Sequence, residues 1–296
     1  MKHIFVVNTF GKDNVVDIYR KIKSVAERHG LDYEIEMNSR HLSTDIILKS
    51  YQKGQNIIYA VGGDGMINKV LNSIVGTDNI LSYIPYGTGN DLDKTVIETL
   101  EDEYNDVDIA KINDKYFINV ACFGIDADIA NDERFIHNKM IPKSQRYNAG
   151  VLYHFLKYKP RHMKVKFEDE TIDDKFSTVV VANARYYGGG YKIGASSLID
   201  DGKLNVYLAD DLNKISMAKL ITSTRDGSHE NNKHVRKILT DKLTIECDNI
   251  IGSNIDGEAF EGETFNIEVI RKGIKLYHNQ ELKEDILGGH IKAIKL

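Results

Sequence analysis

The sequence predicts two domains in series: an α/β domain built on a parallel sheet, then an all-β domain of antiparallel strands. Three observations carry this. Up to about residue 100, strand-like runs alternate with helical periodicity, the pattern of right-handed βαβ crossovers. After Asp108 the alternation stops and strand-like runs follow one another between turn residues. The length of 296 residues allows one large domain or two, and a hydrophobic fraction of 42% is enough for packed cores.

The elements follow in order. His3–Asn8 (HIFVVN) is apolar and β-branched, a first strand. Val15, Ile18, Ile22 and Val25 recur at helical spacing, so a helix is expected over Val15–His29 with Gly30 as its stop. Tyr33–Met37 is a second strand. Ser43 or Thr44 caps a helix running to about Lys53, closed by Gly54. Asn56–Val61 is the third strand, Asp64–Val75 the third helix and Ile80–Pro85 the fourth strand. KINDKYFINV then carries an Asn-Asp turn between two strand-like runs, a hairpin signal. One strong helix is expected around Ser144–Tyr158. The runs MKVKF, FSTVVVAN, KLNVYLA, KLTIEC, FNIEVI and IKLYH complete a sandwich or a barrel. The expected division is 1–118 and 119–284, with 285–296 returning to complete the first domain.

Composition excludes several classes. A net charge of −5 gives no ground to expect nucleic acid. Cys122 and Cys247 stand far apart in apolar contexts, as buried thiols of a reducing compartment. No run is long and apolar enough for a signal peptide or a membrane span. The expectation is a cytoplasmic protein, with any membrane contact peripheral and on the inner face. From Arg134 to Phe167 there are nine basic residues and no acidic one, leaving 30 basic against 44 acidic residues elsewhere. This stretch, Arg134–Lys166, includes the aromatic segment SQRYNAGVLYHFLKYK and suits anionic lipid; core packing with a solvated rim is the plainer alternative for its helix.

Two glycine turns carry the chemistry. VGGDGMINKVLN, from Val61 to Asn72, reads as strand, glycine turn, helix. Glycines let a backbone approach a polyanion, and the helix start favours negative charge. Asp64 can present its carboxylate to Mg2+ or a hydroxyl. IPYGTGND, from Ile84 to Asp91, repeats the arrangement. Both turns follow strands, so both belong at the carboxyl edge of one parallel sheet, where ligands of open α/β sheets bind.

GGDGMINKVLN followed by PYGTGND resembles the diacylglycerol kinase catalytic-domain superfamily, in particular its bacterial lipid kinases. FINVACFGIDADIA, VVVANARYYGGGYKIGASSLIDDGKLNVYLADD and NIDGEAF extend the resemblance over nearly the whole chain. It implies a doubly wound nucleotide-binding α/β domain, a C-terminal β-sandwich domain for the lipid substrate, and an active site in the cleft between them. Carried over position by position, it assigns the nucleotide to Asn8, Thr9, Phe10, Gly11 and Lys12, to Asn38 or Ser39, to Gly62, Gly63, Asp64, Gly65, Met66, Ile67, Asn68 and Lys69, and to Thr88 and Asn90. Asp256 and Glu258 match its catalytic DGE motif, and Asp201 with the carbonyls of Leu198 and Lys203 matches its Mg2+ site. The chain departs from the family pattern at Met66 (usually Thr), at Lys69 (usually Glu) and in a first loop without proline. Lys69 is then expected to neutralise phosphate charge, with Lys12 and Lys94 as further cations.

The function this implies is transfer of the γ-phosphate of ATP, with Mg2+, to a lipid hydroxyl such as that of diacylglycerol at a membrane surface. Asp64, Asp256 and Glu258 are the catalytic acids, with either Asp256 or Glu258 as the base and the other orienting it or binding metal. The competing readings are an NAD kinase and a catalytically weak nucleotide- or lipid-binding relative. A homodimer is compatible with either. Two motifs keep a structural alternative: NIDGEAF as a β-hairpin, and RYYGGGYKI as a glycine turn instead of a flexible loop over a pocket.

Overall fold

The computed structural model describes residues 1–9, 14–39, 42–87, 91–124 and 159–288. The chain divides into two compact units, Met1–Val107 with Lys272–Leu296, and Asp108–Arg271.

The first unit alternates strands and helices: β1 (Lys2–Asn8), α1 (Val15–Arg28), β2 (Tyr33–Asn38), α2 (Thr44–Leu48), β3 (Asn56–Gly62), α3 (Asp64–Ile74), β4 (Ile80–Pro85) and α4 (Asp91–Thr99). The strands run parallel in the order β2-β1-β3-β4. β3 is buried from Ile57 to Gly62, as a strand covered on both faces must be, and its apolar run is accordingly unbroken. Ile18, Ile22 and Val25 of α1 pack on Phe5, Val7, Tyr59 and Val61, each contributing roughly 2 kcal/mol by burial. α2 ends at Leu48 and gives way to a single 3-10 turn over Lys49–Tyr51, short of the expected Lys53.

The second unit begins with a hairpin of β5 (Tyr104–Ile112) and β6 (Lys115–Phe117), closed by Asn113 at φ 52°. β7 (Val120–Gly124), β8 (Arg161–Lys166), β9 (Thr171–Ala182), β10 (Leu204–Asp210), α5 (Lys214–Ser223), β11 (Val235–Thr240), β12 (Lys242–Ile255) and β13 (Glu258–Tyr277) follow. Pairing runs β11-β10-β9-β7-β12-β13. The long strands β9 and β12 each pair with β7 at one end and β8 at the other, so they fold over the core of Phe117, Phe123, Val165, Val181, Ile245 and Phe265. Residues of opposite parity, including Val120, Cys122 and Val180, form a second layer with Tyr187 and Tyr207.

The chain then returns to the first unit. Leu276 of β13 pairs with Leu81 of β4 in parallel, and α6 (Gln280–Leu287) buries Leu282 and Ile286 in the core under α1. Asn279 caps α6 through Leu282 N–H at 2.8 Å, and Gly288 ends it at φ 68°. α5 is likewise capped, by Asn213. Neither helix is among those expected from the sequence. The units divide within β5, between Val107 and Asp108, and within β13, where Lys272 takes a positive φ of 51° ahead of Gly273. The expected helix at Ser144–Tyr158 and residues 289–296 lie outside the described residues.

Candidate active site

In the first unit, the sheet order places a switch point between β1 and β3, whose chains leave the carboxyl edge toward β2 and β4 respectively. Gly62 and Gly63 occupy that edge. A Cβ on Gly62 would stand 2.7 Å from Met66 Cβ, so only glycine lets α3 start this close to the strand. The second glycine turn lies directly on the first. A Cβ on Gly87 would be 3.2 Å from Gly63 Cα and N, and Tyr86 N–H donates to Gly62 O at 2.9 Å. The turns also share a side chain: Asp64 Oδ1 accepts the Asp91 N–H, the first amide of α4, at 3.2 Å. Two helices therefore begin at one backbone-lined edge; in α3 the Asp64 and Gly65 amides precede the first intrahelical bonds, which Met66 and Ile67 donate to Gly63 O at 2.9 and 3.3 Å. This is the arrangement that binds anions.

The expected nucleotide residues divide by what their side chains can offer. Met66 and Ile67 are each 3% exposed and point into the core, Met66 Sδ lying 3.7 Å from Asn38 Nδ2, so a ligand meets only their backbone. Asn68 Oδ1 accepts from Asn72 Nδ2 at 3.1 Å. The Thr9 hydroxyl donates to Asn38 O at 2.6 Å and braces the start of the first loop against the end of β2. The Ser39 side chain and backbone close a turn with Leu42. Lys69 is exposed on α3, one turn before Ser73, whose hydroxyl reaches Asp45 of α2. Asn8 stands beside Gly62, its Cβ 3.5 Å from where a Cβ on that glycine would be. Phe10, Gly11, Lys12, Thr88 and Asn90 lie outside the described residues.

In the second unit, the NIDGEAF segment is the hairpin between β12 and β13. Ile255 pairs with Glu258, and Asp256 and Gly257 both take positive φ, 48° and 90°, the signature of a two-residue type I′ turn. Asp256 is 1% exposed and accepts three backbone N–H bonds, from Ile118 at 2.8 Å, Asn119 at 3.0 Å and Val120 at 2.9 Å. A carboxylate so committed positions the hairpin against the start of β7. Glu258, the next residue but one, is half-buried. Asn254 Oδ1 accepts from Gly257 N–H at 2.9 Å and from the Tyr187 hydroxyl at 2.5 Å. Tyr187 opens the triple-glycine segment, which is a closed turn: Tyr187 and Tyr191 exchange backbone bonds while Gly188, Gly189 and Gly190 all take positive φ. The turn reading of RYYGGGYKI is the one observed.

The Asp201 turn has an acidic surrounding. Asp201 Oδ1 accepts the Lys203 N–H at 2.9 Å, and buried Asp108 accepts the Gly202 N–H at 2.5 Å. Burial, with the Asp108 and Asp200 carboxylates nearby, raises the Asp201 pKa above its ordinary value, a charge crowding that a cation relieves. No group of three or more His, Cys, Asp or Glu ligands occurs among the described residues. One carboxylate with backbone carbonyls and water, as Mg2+ accepts, fits this turn.

The basic stretch reads differently in space. Of Arg134–Lys166, only residues 159–166 are described. There Lys164 pairs with Asp173 at 3.1 Å, His162 lies between Asp173 and Asp248, and Lys166 pairs with Glu246. The acids come from β9 and β12, so charge segregated along the chain is neutralised across the sheet. Among the described residues, no helix is long and apolar enough to cross a membrane. Sequence reasoning missed Asp91, Asp108, Tyr187 and Asn254, whose partners lie far along the chain.

Comparison with known proteins bears on both units. "Diacylglycerol kinase catalytic domain" matches residues 2–116 and "YegS C-terminal NAD kinase beta sandwich-like domain" matches residues 119–278. The "Diacylglycerol kinase" of Bacillus subtilis is 23% identical over 241 residues, covering 75% of this chain and 76% of that protein. "Probable lipid kinase YegS-like" of Alcanivorax borkumensis is 26% identical over 247 residues, covering 78% and 81%. Among solved structures, a diacylglycerol kinase from Bacillus anthracis superposes with a TM-score of 0.66 at 17% identity, covering 95% of this chain and 98% of that one. Yeast NADH kinase bound to NADH gives a TM-score of 0.51 at 9% identity, covering 100% and 88%. At these identities the structural likeness speaks to the fold.

Proposed function

Because the chain belongs to the family that joins a diacylglycerol kinase catalytic domain to a YegS-type C-terminal domain, we propose that it transfers the γ-phosphate of ATP to a lipid hydroxyl, that of diacylglycerol or a close relative. The observation that carries this reading is the contact of the two glycine turns, Gly87 on Gly63, with α3 and α4 both starting there. Such an edge suits a chain of phosphates, and phosphoryl transfer asks chiefly for positioning and charge stabilisation.

In this reading the backbone from Gly62 to Asn68 and the second turn hold the nucleotide phosphates. Asp64, engaged with the first amide of α4, holds the two turns together. Glu258 takes the proton of the lipid hydroxyl as its oxygen bonds to the γ-phosphorus and ADP leaves. Asp256, saturated by three amides, orients that hairpin without acting as base. Asp201 with the carbonyls of Leu198 and Lys203 would hold Mg2+, which supplies positive charge when bound. Peripheral attraction to anionic lipid belongs to the proposal through the basic residues of 134–158, since Lys164 and Lys166 are paired within the sheet. A cytoplasmic location belongs to the proposal as well.

The test offers purified protein γ-labelled ATP and Mg2+ with anionic vesicles containing diacylglycerol, and with NAD in a parallel reaction. Label in phosphatidic acid is expected. Label in NADP with the lipids unlabelled would overturn the reading, as would turnover of neither.

A further inference from the structure

α6 carries a charge that the chemistry above does not use. Lys283 is 1% exposed. Its Nζ donates to Asp93 Oδ1 at 3.0 Å and to His278 Nδ1 at 2.7 Å, and stands 3.6 Å from the centre of the Tyr83 ring. All of these groups belong to the first unit. A buried ammonium is costly unless paired and hydrogen-bonded, and an apolar replacement of such a pair is often as stable. Stability alone is therefore a weak account of this cluster. What a buried pair does supply is a fixed register between the elements that carry it.

The element fixed here is the start of α4. Asp93 lies in the first turn of α4, and Asp64 holds the Asp91 amide in that same turn. One anchor comes from the first glycine turn, the other from the far end of the chain. Four residues before α4 lies Gly87, where an added Cβ would stand 3.2 Å from the Gly63 backbone.

We propose that Lys283 is a positioning residue for the nucleotide: through Asp93 it fixes the start of α4 so that the two glycine turns present their amides to the phosphates together. The proposal rests on the reading of the protein as an ATP-dependent kinase. The protonation pattern agrees with it. Burial lowers Lys283 to about 8, opposed by Asp93, so the ammonium persists at neutral pH. Burial and the Lys283 charge lower His278 to about 4, which leaves the ring neutral, with Nδ1 accepting and the proton on Nε2.

The test compares Lys283→Met with the charge-neutral double variant Lys283→Met/Asp93→Asn. Each is assayed for melting midpoint, for kcat and the KM of ATP and of lipid, and for amide exchange over α4 without nucleotide. Because displacing a positioned group by about 1 Å can cost a hundred-fold, Lys283→Met is expected to raise the ATP KM at least about ten-fold while the lipid KM stays put. The double variant should regain the parental melting midpoint and keep the raised ATP KM, with faster exchange at the start of α4. Recovery of the ATP KM together with the melting midpoint would reduce Lys283 to core packing and overturn the proposal. If Lys283→Met does not fold, the double variant decides alone. Calorimetry of the parent with MgATP tests the kinase reading separately. Should the parent not bind ATP, parental amide exchange at α4 in the double variant overturns the positioning role, and accelerated exchange supports it.

Discussion

Replacing Asp256 with Asn separates a structural carboxylate from a catalytic one. Asp256 accepts the Ile118 N–H through Oδ2 and the Asn119 and Val120 N–H groups through Oδ1, all at 3.0 Å or less, and is 1% exposed. An amide accepts through one oxygen only, and its NH2 would face a backbone N–H. Whichever way it turns, at least one buried donor loses its acceptor. The φ of 48° adds nothing, because Asn tolerates the left-handed region as Asp does. A lost bond to a charged group is worth about 1.5–3 kcal/mol, and an orphaned buried donor about 1–3 kcal/mol, so a loss of about 3 kcal/mol is expected. For a unit of this size that lowers the melting midpoint by roughly 6–12 °C. Glu258→Gln, at a half-buried position, should change stability by less than about 0.5 kcal/mol while turnover falls about 10²–10⁴-fold. Differential scanning calorimetry and labelled-ATP turnover on both variants make the comparison. Parental melting in Asp256→Asn with turnover abolished would refute the reasoning, since it would assign the chemistry to the saturated carboxylate.

Three further outcomes are expected. Gly87→Ala puts a methyl 3.2 Å from the Gly63 backbone; the turns must part by a few tenths of an ångström, costing about 1–3 kcal/mol, and MgATP titration should show weaker binding. Lys69→Ala removes an exposed charge and should change the ATP KM less than about three-fold; a ten-fold rise would restore the phosphate contact expected from the sequence. His278 has its folded pKa lowered to about 4, so between about pH 6.5 and 4 the unfolded chain binds a proton that the native state does not. Stability from this group is present above pH 6.5 and is lost as pH falls through that window. His278→Gln should flatten that part of the melting-midpoint profile, and an unchanged slope would show that other groups carry it.

The parts legible in the sequence were those written locally. Strand, glycine turn and helix follow one another within Asn56–Ile74, and both hairpin turns are two-residue signals, Asn113-Asp114 and Asp256-Gly257. α5 was missed because it buries only Met217 and Leu220. α6 was missed although Asn279 and Gly288 mark its ends, because a stripe containing Lys283 does not read as a core face. The role of Asp256 depends on amides about 136 residues earlier, and Asp93 meets Lys283 across 190 residues. No local pattern encodes such distances. Lys69 is a different case: its residue type is informative, but whether a helical side chain turns toward a ligand is not written in the local sequence.

The return of the chain to the first unit has a consequence for synthesis. β4 lacks its last neighbour, and the face of Phe5, Tyr59 and Ile84 lacks Leu282 and Ile286, until the whole second unit has been made. These residues trail Val107 by about 180 positions, roughly 10–40 s at ribosomal speed. During that interval the nascent first unit exposes an open sheet edge and an apolar face, the surfaces that holding chaperones recognise. The nucleotide edge is thus expected to mature only once α6 has left the ribosome and can dock.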